Sequence, residues 1–240
     1  MTGPLATLKN RLLSALPSED KGLLAPHLST VDLEKGRLLY DPGDLIDQVY
    51  FPNDCVISLM TLMESGAAIE SATIGREGAL GLMAAVAPRQ SLSRAIIQAP
   101  GSALRIAAGP LHDVWKRSAA LRDLVDRHNE ALFGHAIQSV ACNALHAVEA
   151  RFCRWLLSCH DRIDSNTVHL TQEFLADMLG VQRTTVTAVA GSMQTKGLIS
   201  YRRGVVEILD RSGLEAITCE CYGAVRRGYQ RLLPESFSAH

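Results

Sequence analysis

Apolar and polar positions change their period along the chain. Between Val31 and Ile106, short apolar runs alternate with turns: Val31-Asp32-Leu33, Leu38-Leu39-Tyr40, Val49-Tyr50-Phe51, Val56 to Met63, Ala67 to Ile74, Ser93 to Gln98 and Ser102 to Ile106. Gly36, Asp41-Pro42-Gly43-Asp44, Glu64-Ser65-Gly66 and Pro100-Gly101 punctuate them. Runs of this length between turn residues predict strands, and their even spacing predicts a β-sandwich or barrel. Ahead of them, Leu8, Leu12, Leu13, Leu16, Leu23 and Leu24 predict helix. From Pro110 to about Ile163 the period becomes helical. That is far longer than the mean helix of ~11 to 12 residues, so at least two helices are expected. Within it Leu121, His128, His135 and Cys142 recur every seven residues, as do Val125, Leu132, Ser139 and His146. A seven-residue repeat predicts a seam against another helix. Leu121, Val125, His128, Leu132 and His135 are read as a dimer contact, with packing against the chain's own β-domain as the competing arrangement.

A second core begins at Val148, Phe152, Trp155 and Leu156, which share one helical face. Thr171 is placed to cap a helix carrying Phe174, Leu175, Met178 and Leu179, and Gly180 to end it. After the turn Val181-Gln182, a further helix turns Val186, Val189, Ala190 and Met193 inward. Leu198 to Tyr201 and Val205 to Ile208 form a hairpin around Arg202-Arg203-Gly204. The expected class is α+β: a strand-rich unit over 1–110, a long interdomain helix over 111–146, and a helix-turn-helix unit with a hairpin wing over 147–240.

A composition of 47% hydrophobic and 20% charged residues excludes a disordered chain and a disulfide scaffold. The uncharged stretch Gly78 to Pro88 is too short for a membrane span, and Met1 to Leu16 lacks the apolar region of a secretory signal. A cytoplasmic location follows as the expectation. Net charge is −1, yet no Asp or Glu occurs from Met178 through Val206, where Arg183, Lys196, Arg202 and Arg203 fall. Cysteines 55, 142, 153, 159, 219 and 221 lack a CxxC pair and read as free thiols. Cys219 and Cys221 are candidates for a metal or redox pair, but helical neighbours two apart face different ways. No metal site is expected.

The second short helix divides as a major-groove reader must. Arg183, Thr184, Thr187 and Ala188 point away from its apolar side, and Arg183 suits bidentate bonds to guanine. Lys196, Arg202 and Arg203 suit phosphates, as does Thr171 at the preceding helix start. The run Leu170-Thr171-Gln172-Glu173-Phe174-Leu175-Ala176-Asp177-Met178-Leu179-Gly180-Val181-Gln182-Arg183-Thr184-Thr185-Val186 resembles the winged helix-turn-helix signature of the Crp/Fnr family of bacterial transcription regulators. The strand-rich first part, the long helix and the order of parts are similar over nearly the whole chain, which implies that 1–110 form an antiparallel, jelly-roll-like β-roll sensor unit. The resemblance implies a homodimer that binds double-stranded DNA through its C-terminal unit, senses a signal through a cyclic-nucleotide-binding-like β-roll, and admits RNA polymerase as a further partner.

The sequence departs from the family where cyclic AMP would bind. Gly78-Ala79-Leu80-Gly81-Leu82 has alanine where relatives carry a glutamate, and Ser93-Arg94-Ala95 sets its arginine one position late, on the opposite face of a strand. Glu77, Gly78, Ala79, Ser93 and Arg94 remain the pocket candidates; cyclic AMP in its usual pose is not expected, and no effector or cofactor is specified. The N-terminal cysteines of the iron-sulfur branch are absent, since no cysteine precedes Cys55. Two other functions stay open: a sensor or scaffold that no longer binds DNA, and an enzyme using Cys159 with His160, or Cys153. Neighbouring helical residues cannot face each other, and no hydrolase, metalloprotease or P-loop motif accompanies them, so no enzyme is expected.

Overall fold

Pro17 divides the leucine-rich N-terminal stretch into α1 (Arg11–Ser14) and α2 (Ser18–Leu24). The computed structural model describes residues 4–234; positions 1–3 and 235–240, the outer ends of the two expected terminal units, lie outside the described residues. Asn10 accepts a hydrogen bond from the Leu13 amide at 2.8 Å, capping α1, and its amide donates to the Pro52 and Gly78 carbonyls. The N-terminal helix is thereby tied to the β-roll that follows.

That roll comprises β1 (Ser29–Leu33), β2 (Leu38–Tyr40), β3 (Gln48–Pro52), β4 (Val56–Leu62), β5 (Ala68–Ile74), β6 (Arg94–Ala99) and β7 (Gly101–Ala107). They pair antiparallel into two sheets, in the orders β1-β7-β3 and β2-β6-β4-β5. Ile57, Ile74, Ile97 and Ala103 are buried between the layers.

The long helical stretch resolves into α3 (Ala108–Arg117), α4 (Ala119–Leu145) and α5 (Val148–His160). Ser118 breaks the first from the second and caps α4 by accepting from the Leu121 amide at 2.9 Å. The C-terminal unit continues through β8 (Thr167–His169), α6 (Gln172–Leu179), α7 (Arg183–Thr195), β9 (Ile199–Arg202), β10 (Val205–Ile208), α8 (Arg211–Ile217) and α9 (Cys221–Leu232). Its sheet runs β8-β10-β9. Phe152, Trp155, Leu175, Val186 and Met193 form the core under the two short helices, each such side chain worth roughly 1.5 to 3 kcal/mol when fully buried.

The seven-residue repeat on α4 needs correction. Leu121, Val125, His128 and His135 are buried within the chain itself and Leu132 is partly buried, packed on the β-roll and on the returning α9. The apolar stripe marks a face that is covered, but its spacing cannot say by what. The large apolar side chains left exposed on α4 are Phe133, Ile137 and Val140, on another face, with Leu145 at its end.

Candidate nucleic-acid interface

Helix α6 starts where Thr171 Oγ1 accepts from the Phe174 amide at 3.2 Å, and stops where Gly180 adopts the left-handed φ of 61°. A Cβ at Gly180 would lie 2.8 Å from Ile69 Cδ1, so the tight turn also sets the approach of this unit to β5. After two intervening residues, α7 begins. Val186, Val189, Ala190 and Met193 hold it to the core, while Arg183, Thr184, Thr187 and Ala188 are exposed along its first two turns. Thr187 Oγ1 donates to the Arg183 carbonyl at 3.1 Å.

Arg183 is held in an exposed network: Nη1 lies 2.7 Å from Glu173 Oε1 and Nε donates to Gln172 Oε1 at 3.2 Å. An exposed ion pair of this kind is worth about 0 to 1 kcal/mol, so exchange for a nucleic-acid acceptor opposes binding little. Beside it stands the β9–β10 hairpin, with Arg202 and Arg203 exposed at the tip and Lys196 exposed at the end of α7. Thr171, Arg183, Arg203 and Gly204 line one open concavity. Of the expected DNA-facing residues, Thr171, Arg183 and Arg203 are brought together there, while Thr184, Thr187 and Ala188 continue along α7 and Lys196 lies at its far end.

The pocket residues do not converge. Glu77 is buried in an ion pair with Arg162, Nη2 to Oε1 2.7 Å. The Gly78 carbonyl accepts from Asn10, and the Ala79 amide donates to His128 Nε2 at 3.1 Å. Arg94 points to the surface, where Nε meets Asp41 Oδ1 at 2.6 Å. Ser93 gives its carbonyl to the Ser91 hydroxyl at 2.7 Å. The candidate contacts are taken up by the protein, so those five residues do not form one ligand cradle. His128 and His135 are buried and neutral: burial lowers the first to about 4 and holds the second well below the ordinary histidine value. Neither titrates in the physiological range, so a pH switch on them has no support. Cys159 and His160, the candidate enzymatic pair, diverge: the thiol is buried in the core and the imidazole meets Asn166 Oδ1 at 2.7 Å.

Residues 150–217 match the family of Crp-like helix-turn-helix domains. Among solved structures, FixK2 from Bradyrhizobium japonicum superposes with a TM-score of 0.68 at 15% identity, covering 80% of this chain and 98% of that one. A CRP-family regulator from Thermus thermophilus gives 0.65 at 19% identity, covering 78% and 95%. A putative Crp/Fnr-family regulator from Eubacterium rectale gives 0.62 at 20%, covering 86% and 96%. No curated protein matches the chain. The Crp-like domain therefore sits in a chain built on the Crp/Fnr regulator fold. Among the described residues no helix is long and apolar enough to cross a membrane.

One constellation escaped the sequence reasoning. Cys142 and His146, at the end of α4, meet Cys219 and Cys221, at the start of α9. Cys219 precedes α9, so its side chain is free of helical spacing. The signal available in sequence is Cys142 with His146, four apart on one helical face.

Proposed function

We propose that this chain is a sequence-specific, DNA-binding transcription regulator that acts as a homodimer in the cytoplasm, without enzymatic activity. The observation that carries this reading is the division of α7, whose inner side is buried while Arg183, Thr184, Thr187 and Ala188 are presented together beside a basic hairpin. Such a helix enters a major groove with its N-terminal residues at base edges. Arg183 takes the role of base reader, Thr184, Thr187 and Ala188 contact base edges or the thymine methyl, and Thr171, Lys196, Arg202 and Arg203 hold phosphates. The functional division is 1–110 for sensing, 111–146 for transmission and 147–240 for DNA.

The second copy is assigned to the outward face of α4. Phe133, Ile137 and Val140 are 68%, 55% and 72% exposed and follow one another by four and three residues, the spacing of a helix-to-helix seam. Two Crp-like domains joined there read half-sites one DNA turn apart, ~34 Å.

Selection of fragments from a random DNA pool by the purified chain, beside Arg183→Ala, tests the reading. Enrichment of a two-fold symmetric site by the parent alone is the expected result. Equal, salt-sensitive background from both overturns it. Sedimentation of Phe133→Glu, expected to yield monomer, tests the seam separately.

A further inference from the structure

We infer that Cys142, His146, Cys219 and Cys221 form a mononuclear site for a divalent thiophilic cation of the zinc class, which fastens α4 to the C-terminal unit. The donor atoms, three thiol sulfurs and one imidazole nitrogen, all lie within 4.8 Å of one another. Cys142 Sγ is 3.5 Å from Cys219 Sγ, and Cys221 Sγ is 3.6 Å from His146 Nδ1. Metal–sulfur bonds of ~2.3 Å at tetrahedral angles put sulfurs about 3.8 Å apart, so a single ion fits without rearrangement of the backbone. A multi-iron cluster binds its ligands to different iron atoms and needs a wider cradle. Four protein donors fill a tetrahedral shell, which makes this a closed, structural centre with no position for a substrate.

The surroundings suit the ion as well as the donors do. His146 Nε2 lies 3.2 Å from Glu220 Oε2, an arrangement that keeps the proton on Nε2 and leaves the Nδ1 lone pair for a metal. Gln138 Nε2 donates to Cys221 Sγ at 3.0 Å. Three thiolates around a divalent cation leave one net negative charge. Arg151 and Arg154 supply the compensation: both are buried on α5, both act electrostatically on Cys142, and both have an Nε without a hydrogen-bond partner among the described residues. On binding, three S–H protons leave to solvent as three metal–sulfur bonds and one metal–nitrogen bond form; no electron is transferred.

The location gives the site its consequence. Cys142 and His146 flank the end of α4, and α5 of the Crp-like domain starts at Val148. Cys219 and Cys221 join α8 of that domain to α9, which packs back along α4. An ion held between them fixes the angle at which α4 delivers the DNA-binding unit. This consequence for DNA rests on the function proposed above; the site itself does not.

Elemental analysis and Co2+ titration of the full, reduced chain provide the test. One ion per chain and the visible absorption of tetrahedral, thiolate-bound Co2+ are expected, both lost in Cys142→Ser and Cys219→Ser. Glu220→Gln, an exposed change that leaves the core intact, is expected to bind Co2+ 10- to 100-fold more weakly. A folded parent that takes up no more Co2+ than Cys219→Ser overturns the proposal. So does an unchanged Co2+ affinity in Glu220→Gln together with metal-independent alkylation of Cys221. DNA affinity with and without zinc is measured in parallel: a chain that holds zinc but selects no DNA refutes the regulator, not the site.

Discussion

Glu77 and Arg162 meet at 2.7 Å across the junction of the two units, one following β5 and the other following α5, with side chains only 4% and 8% exposed. Arg162 Nε also donates to Glu77 Oε1 at 2.8 Å, and the Gly75 amide donates to the same oxygen at 3.2 Å. Met60 of β4 also joins the core of the C-terminal unit. The C-terminal unit is therefore docked on its own β-roll by a buried charge pair as well as by apolar contact.

Breaking that pair from one side strands a buried charge. Glu77→Gln is expected to lower stability by about 3 to 5 kcal/mol, and Glu77→Gln with Arg162→Met to regain part of the loss. Burial alone raises the Glu77 carboxyl; the Arg162 charge, its hydrogen bond and the Gly75 amide outweigh this and hold it below the usual glutamate value of 4.5. A depressed folded value contributes stability above pH 4.5 that is lost as the pH falls through that folded value. Denaturant midpoints across the acid range check this, and a double variant no more stable than the single one would remove the pair from the argument.

Glu70 behaves in the opposite sense. Burial pushes its carboxyl from 4.5 up to about 7, against the opposing Ser58 hydrogen bond and the Arg154 charge. Its Oε2 lies 2.6 Å from Ser58 Oγ and accepts from Trp155 Nε1 of α5 at 3.4 Å, so this group too sits at the junction. Between pH 4.5 and 7 the folded chain holds a proton there that the unfolded chain has released. Stability therefore falls as pH rises through that window, by about 3 kcal/mol in all for this group. Glu70→Gln is expected to be more stable than the parent above pH 7 and to match it more closely near pH 4; parallel pH curves for the two proteins would contradict the assignment.

What was legible in the sequence is local. Thr171, Gly180 and the Arg202-Arg203-Gly204 turn are read from neighbours a few residues away, and the structure uses the first two as caps and narrows the turn to Arg203-Gly204, with Arg202 closing β9. The strands are read from apolar runs whose ends move by one residue at most in β4 and β5. What was not legible depends on pairs far apart in the chain. Glu77 reads as a ligand contact in sequence because Arg162, 85 positions later, has no spacing that announces it. Leu121, Val125, His128 and His135 repeat correctly, yet a repeat records only that a face is apolar. The Cys142 and Cys219 thiols, 77 residues apart, meet only because α9 folds back on α4.

Gln182 stands at the N-cap of α7 with β-type backbone angles and makes no side-chain capping bond. Serine at that position accepts from an amide in the first helical turn, so Gln182→Ser is expected to stabilise the chain by about 0.5 to 1 kcal/mol. The thermal midpoint should rise while the DNA site selected stays the same, because the change lies before Arg183. A shift in the selected site would instead make Gln182 a base contact.

Arg203 has a φ of 49°, the only positive φ outside glycine among the described residues. It and Gly204, φ 77°, form the two-residue turn between Arg202 and Val205, a conformation suited to Asn-Gly. An arginine kept where the left-handed backbone costs it roughly 1 to 2 kcal/mol points to a use for its charge at the hairpin tip. Arg203→Asn separates the two effects. Folding stability should rise, by up to about 1 kcal/mol, while DNA affinity falls uniformly across sequences and the slope of log affinity against log salt drops by about one. Arg202→Ala should give the same loss in slope without the gain in stability, since Arg202 lies in β9 with ordinary backbone angles. If Arg203→Asn is more stable and binds DNA as before, the wing does not touch phosphate and the basic tip has another purpose.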